Sequence, residues 1–255
     1  MNDAFPLPKL PPASTIDVWL IDLDRQLNPG VNLDNILSAE ECNRADRYVF
    51  ARDAFRFRLC RAMLRLGLAW YLGKTLREIA LTTNDYGKPR LAEPSVLYFN
   101  VTHSGGLGLI AFTTVGEVGI DVETIKRDVE ALEIASAHFT ENEASIIAAA
   151  GTPQEQVSVF FRLWTRKEAV LKAAGVGILR GLDTVDVSQQ PANLVRMRGA
   201  SGEIAESCWL VRDMEVIDGF MGAVAAPAGD WSILQWPIRC EDAIDRLVAR
   251  LSGLL

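Results

Sequence analysis

The sequence predicts an α+β protein with mostly antiparallel strands, built as two halves that meet near residue 118. Two observations carry that expectation. Strand-like stretches recur, IDVWLIDLD at 16–24 in the first half and GIDVE at 119–123 in the second, and they are loosely alike. Each half also holds one long helical stretch, 37–73 and 154–174.

Along the chain, residues 1–14 are proline-rich and read as an extended lead-in. The alternation in 16–24 predicts a strand. Residues 37–73 form one long helix or two shorter ones, with Ser38 as N-cap and Gly73 as stop. NDYGKP (84–89) has the composition of a turn and precedes the strand LYFNVTH. A buried strand follows at 107–115, and GEVGIDVE (116–123) turns into a third. In TENE (140–143), Thr140 stands three residues before Glu143, the spacing of a capping box that opens ASIIAAAG, which Gly151 ends. After the helix at 154–174 come Gly175, Gly177 and Gly181, then strand-like runs near 183–187, 194–198, 208–217, 219–226 and 231–236, and a terminal helix at 241–252. The expected division is 1–118 and 119–255.

With 49% hydrophobic and 23% charged residues, the 255-residue chain can bury a sizeable core. Its 26 basic against 33 acidic side chains leave a net charge of −7, which excludes a protein that coats nucleic acid. An anionic ligand must then be met by local charge. Cys42, Cys60, Cys208 and Cys240 form no CxxC pair, and His103 and His138 are too few for a zinc-like cluster, so free thiols in a reducing cytosol are expected. The N-terminus has no basic segment leading into an apolar core, and no apolar run approaches the ~18 residues of a membrane span. A cytoplasmic protein is expected.

On a strand, Asp121 and Glu123 share one face while Ile120 and Val122 point into the core. Adjacent carboxylates repel unless a cation or proton lies between them, and oxygen donors with few histidines favour Mg²⁺. Asp22 and Asp24 have the same spacing and form a rival pair. FNVTHSGG (99–106) puts Thr102 and His103 at a strand end running into two glycines, a setting in which donors can close on phosphate oxygens, and Lys88 in the preceding turn could reach the same space. Seven arginines lie between Arg44 and Arg65, with Arg52 and Arg56 at their centre, and could hold an anionic ligand or an acidic partner. In FFRLWTRKEAVLK (160–172), helical spacing places Phe161, Trp164, Glu168, Leu171 and Lys172 in one sector. Glu168 and Lys172 are then either a surface pair or part of a site.

FNVTHSGG, GIDVE and LWTRKEAVLK, in this order, resemble the Sfp-type 4′-phosphopantetheinyl transferases over about residues 40–185. The resemblance implies two similar subdomains in a pseudo-dimer, each a mostly antiparallel sheet packed with a long helix, and a monomer. It also implies transfer of the phosphopantetheine arm of coenzyme A to a serine of an acyl, peptidyl or aryl carrier protein, with Mg²⁺, as in peptide and polyketide synthesis. By the family pattern Asp121, Glu123 and Glu168 are metal ligands, and Glu168, or a water it holds, is the base. Lys172 meets the phosphates and Lys167 supports. Lys88, Thr102 and His103 match nucleotide-phosphate contacts, and Arg56 a contact on the 3′-phosphate side. Where family members often carry lysines at 38–44, this chain has Glu41. A Mg²⁺-dependent phosphohydrolase and a non-catalytic binding module for coenzyme A or a carrier protein are the alternatives.

Overall fold

The computed structural model describes residues 9–27, 31–176, 181–188, 194–198, 204–238 and 247. In the first half, β1 (Thr15–Asp22) is followed by α1 (Ala39–Ala45), α2 (Ala51–Leu72), β2 (Leu81–Thr83), β3 (Pro89–Leu91), β4 (Tyr98–Ser104) and β5 (Leu107–Thr113). The second half contains β6 (Gly119–Thr124), α3 (Ala131–His138), α4 (Glu141–Ala148), α5 (Pro153–Ala174), β7 (Leu194–Arg198), β8 (Ile204–Met214), β9 (Phe220–Pro227) and β10 (Ser232–Ile238).

Two four-stranded sheets result, ordered β10-β1-β5-β4 and β6-β9-β8-β7, each covered by a helix of 22 residues. Both long helices end on a left-handed glycine, Gly73 and Gly175. The expected mostly antiparallel α+β arrangement is therefore present, with the β1–β10 pair as the parallel exception. That pair also crosses between the two halves of the chain. β10 comes from the second half but completes the first sheet, because β1 would otherwise be an open edge with unpaired backbone groups.

The alternation in β1 sorts its side chains between two cores. Trp19 and Ile21 face α2, while Ile16, Val18 and Leu20 meet Ile120, Val122 and Val224 of the second sheet. β1 is thus buried on both faces, as a strand between two layers must be, and the one carboxylate on its helix side, Asp17, accepts from the Tyr71 hydroxyl at 2.7 Å.

The 37–73 stretch divides in two. Ser38 caps α1 in a capping box with Glu41, the chain turns, and α2 starts afresh at Ala51. Thr140 and Glu143 form the expected box, but α4 stops at Ala148, before Gly151. The strand expected at 183–187 is absent: Leu182–Thr184 is a 3₁₀ turn and Val185 makes a single bridge to Met197. The segments α3, β2 and β3 were not expected from the sequence. The terminal helix expected at 241–252 lies outside the described residues except Leu247, which is buried in the first core.

Gly119 sets the distance between β6 and α5. A Cβ there would stand 2.0 Å from the Ala169 carbonyl oxygen and 2.3 Å from the Ala173 nitrogen, both backbone atoms that cannot swing away. Gly119→Ala is expected to destabilise the protein by about 3 kcal/mol or more, the upper end for overpacking. An unchanged melting temperature by differential scanning fluorimetry would contradict this.

Candidate functional site

The site lies on the seam where the edge strands β4 and β6 meet, walled by α5 and by the β2–β3 hairpin. Because Gly119 lets α5 lie close over β6, side chains of the strand that point away from the inter-sheet core reach the helix. Asp121 is buried on that face, and its Oδ1 accepts from Lys172 Nζ at 2.6 Å and from the Thr102 hydroxyl at 3.1 Å. Glu123, two residues on, accepts from Ser104 Oγ at 2.8 Å. Glu168 stands one turn before Lys172 on α5 and is only 5% exposed.

The carboxylates sense one another. Burial, together with the charges of Asp121 and Glu123, raises the Glu168 pKa from 4.5 to about 7, although Lys172 opposes this. Burial likewise raises Asp121 and Glu123. The same negative charges keep Lys172 protonated above its ordinary range despite burial. A carboxyl whose folded pKa is raised adds stability below its ordinary pKa and loses it as pH rises through the folded value. The metal-free protein should therefore lose thermal stability between pH 4.5 and about 7, by several degrees for a shift worth about 3 kcal/mol. Thermal melts of wild type and Glu168→Gln across this range check it: the variant should show a flatter profile, and identical slopes would refute the assignment.

The donor set suits a hard cation. Asp121 Oδ2 and Glu168 Oε1 are buried oxygens without a hydrogen-bond donor. Among the described residues no group of three or more His, Cys, Asp or Glu side chains closes into a ready ligand shell. Mg²⁺ does not require one, since it usually takes one or two carboxylates and completes its shell with waters and substrate phosphates. Two buried unbonded carboxylate oxygens fit that pattern.

Glu168 and Lys172 line a cleft of about 700 Å³, whose opposite side is the hairpin turn Asp85–Pro89 with Asn100 and Val101 of β4. The NDYGKP turn is docked on the end of α5. Asn84 Nδ2 donates to the Gly175 carbonyl at 2.8 Å, and Lys88 Nζ donates to the Ala173 carbonyl at 3.2 Å while pairing with Glu117 at 2.5 Å. These donors satisfy helix-end carbonyls that lack intrahelical partners. Lys88 thus lines the cleft with its ammonium held by these two acceptors, and burial lowers its pKa against the opposing pull of Glu117.

Thr102 is at the site, with its hydroxyl committed to Asp121. His103 follows it on β4 with an exposed side chain, and its pKa is lowered by partial desolvation among its neighbours and by the positive charges of Lys172, Arg56 and Arg44. The two glycines after it form the β4–β5 turn. There Gly106 lies against Asp24, where a Cβ would come within 2.3 Å of a carboxylate oxygen. The rival pair Asp22 and Asp24 is not a second carboxylate site: Asp24 binds Arg56 through two bonds of 2.7 Å, and Asp22 accepts from the Asp24 backbone N–H.

That ion pair bears on the arginine stretch. Arg56 is held by Asp24, Arg58 by Asp34 and Asp46, and Arg61 and Arg65 by Glu41. Much of the expected basic surface is therefore neutralised within the fold, leaving Arg44, Arg47 and Arg52 exposed. Glu41, in place of the family's lysines, is explained by its two tasks as capping-box residue and buried partner of two arginines.

Lys167 does not line the cleft. Its ammonium points away from the carboxylates, fully buried, pairing with Glu143 at 2.5 Å, donating to the Leu182 and Val185 carbonyls and lying over the Phe139 ring. Lys167 and Glu168 are about 100° apart on the helix, and here they meet different surroundings, Glu143 for the one and the cleft for the other.

Residues 117–225 match the 4′-phosphopantetheinyl transferase superfamily, and residues 31–115 match the N-terminal region of 4′-phosphopantetheinyl transferases. The 4′-phosphopantetheinyl transferase HetI of Nostoc sp. is 31% identical over 224 residues, 87% of this chain and 91% of its own. The chain belongs to the 4′-phosphopantetheinyl transferase superfamily. The 4′-phosphopantetheinyl transferase Sfp of Bacillus subtilis is 29% identical over 219 residues, 84% of this chain and 93% of its own. In this transferase the cleft is lined by residues of both halves of the chain, 85–101 and 168–175. Among its described residues no helix is long and apolar enough to cross a membrane.

The sequence reading missed Asn84, Asn100, Ser104, Glu117 and Glu143. A signal for two of them was present: in FNVTHS the polar residues 100, 102 and 104 recur at period two, marking one continuous polar face of the strand.

Proposed function

We propose that this transferase moves the 4′-phosphopantetheine arm of coenzyme A onto a serine of an acyl, peptidyl or aryl carrier protein with Mg²⁺, releasing adenosine 3′,5′-bisphosphate. The observation that carries this reading is that Glu168 and Lys172 wall one cleft, with Asp121 bound to Lys172 behind them and two buried carboxylate oxygens left without donors.

In this reading the acceptor serine Oγ attacks the phosphorus that bears the pantetheine arm. The bond from that phosphorus to the bridging oxygen breaks, and the electron pair leaves with the adenosine bisphosphate. The serine proton passes to Glu168, or to a water it holds. Glu168 is the buried carboxylate that lines the cleft, so it is the group placed to accept that proton. Lys172, kept charged by its carboxylate neighbours, faces the pyrophosphate as a fixed cation. Asp121 and Glu168, with Glu123 directly or through water, would hold Mg²⁺, which supplies neutralisation of pyrophosphate charge. In this reading Lys88, which lines the cleft, and Thr102 and His103 of β4 would contact the nucleotide phosphates, and Arg56, now paired with Asp24, would serve the 3′-phosphate. The working form in this reading is a monomer with two subdomains in one chain. The unpaired thiols Cys42, Cys60 and Cys208 are in keeping with a cytoplasmic setting.

Intact-mass spectrometry of a purified apo carrier protein incubated with this protein, coenzyme A and Mg²⁺, beside a sample in chelator, tests the reading. The expected result is a metal-dependent gain of one phosphopantetheine. Cleavage of coenzyme A at the same rate without acceptor would replace it with a phosphohydrolase.

A further inference from the structure

The edge strands β4 and β6 are joined by side chains as well as by packing. Asn100 Oδ1 accepts from the Ile120 backbone N–H at 3.0 Å, Thr102 Oγ1 donates to Asp121 at 3.1 Å, and Ser104 Oγ donates to Glu123 Oε2 at 2.8 Å. Three alternate residues of one strand thus form successive rungs along the other. The first rung grips the backbone and the other two grip the carboxylates.

We propose that Ser104 is a positioning residue: its hydroxyl fixes the Glu123 carboxylate beside Asp121 and Glu168, so that the divalent-cation site of the transferase is assembled across the subdomain seam. This inference rests on the metal-site reading given above.

The geometry leaves the hydroxyl little choice. Its oxygen accepts from the Thr124 backbone N–H at 3.1 Å, which anchors Ser104 to the end of β6 and directs its one proton outward. The Glu123 oxygen is nearer, at 2.8 Å, than the Thr124 hydroxyl at 3.2 Å, and a carboxylate is the stronger acceptor. Gly105 permits the close approach: its φ is +54°, and a Cβ there would fall 2.9 Å from Thr124 Oγ1. Partners that orient metal-binding carboxylates act on affinity more than on fold, and their loss typically weakens metal binding about 10–100-fold.

The test compares Ser104→Thr with Ser104→Val, which match in volume and differ only in the hydroxyl, so that folding effects of the larger side chain cancel. Mn²⁺ binding to the full-length, metal-free protein is measured by water-proton relaxation, and the Mg²⁺ dependence of transfer is measured alongside. Ser104→Thr should bind Mn²⁺ close to wild type. Ser104→Val should bind at least about ten-fold more weakly and show the same rise in its half-saturating Mg²⁺, with kcat at saturating Mg²⁺ much less affected. Equal Mn²⁺ affinity in the two variants, or equal loss in both, would overturn the role of the hydroxyl. Failure of wild type itself to bind Mn²⁺ would instead remove the metal-site reading beneath it.

Discussion

Replacing Glu168 by glutamine is expected to slow phosphopantetheine transfer by about 10²–10⁴-fold, the usual contribution of a positioned base, with the melting temperature at or above that of wild type. The two effects have one origin. Glu168 is buried with Asp121 and Glu123 nearby, and holding these charges together opposes folding, as the upward pKa shifts show. Glutamine keeps the volume and removes the charge, so the fold is relieved and the chemistry lost, the usual trade between stability and activity at a site. Asp121→Ala should also abolish transfer with the fold intact, although it strips Lys172 and Thr102 of a shared acceptor. Intact-mass kinetics on a carrier protein and thermal melts give both readouts. Transfer at the wild-type rate in either variant would sink the assignment of these carboxylates.

Lys167→Met is expected to act the other way, lowering stability by about 3–5 kcal/mol, as removal of one partner of a buried ion pair does. Glu143 is fully buried; without Lys167 it would keep only its bonds from Thr140 and the Val187 N–H. At roughly 2–4 °C per kcal/mol for a chain of this size, the melting temperature should fall by about 10 °C. Pairing the change with Glu143→Gln should recover part of the loss, because the stranded charge disappears with its partner. Transfer per folded molecule should survive below the melting range. A stable Lys167→Met protein without activity would return Lys167 to the chemistry.

This contrast shows how much of the site was legible in advance. Asp121, Glu123, Glu168 and Lys172 could be read because strand and helix periods dictate which neighbours share a face: Asp121 with Glu123 at two residues, Glu168 with Lys172 at four. The same rule separates Lys167 from Glu168, yet the neighbouring position in the family's motif suggested a shared task. Only the packed structure shows Glu143 of α4 waiting opposite Lys167. Arg56 is similar: helical spacing exposes its place on α2, but its neutralisation by Asp24 comes from a contact across 32 residues.

By itself the sequence determined the elements whose causes are local: the Ser38 and Thr140 caps, the Gly73 and Gly175 stops, the Asn84–Lys88 turn and the polar face of β6. The tertiary structure alone decided the return of β10 to β1, the joining of β4 to β6 through Asn100, Thr102 and Ser104, and the approach of α5 over Gly119. Those features depend on backbone edges and side chains from distant segments meeting, and no period within a single stretch encodes which segment will be the partner.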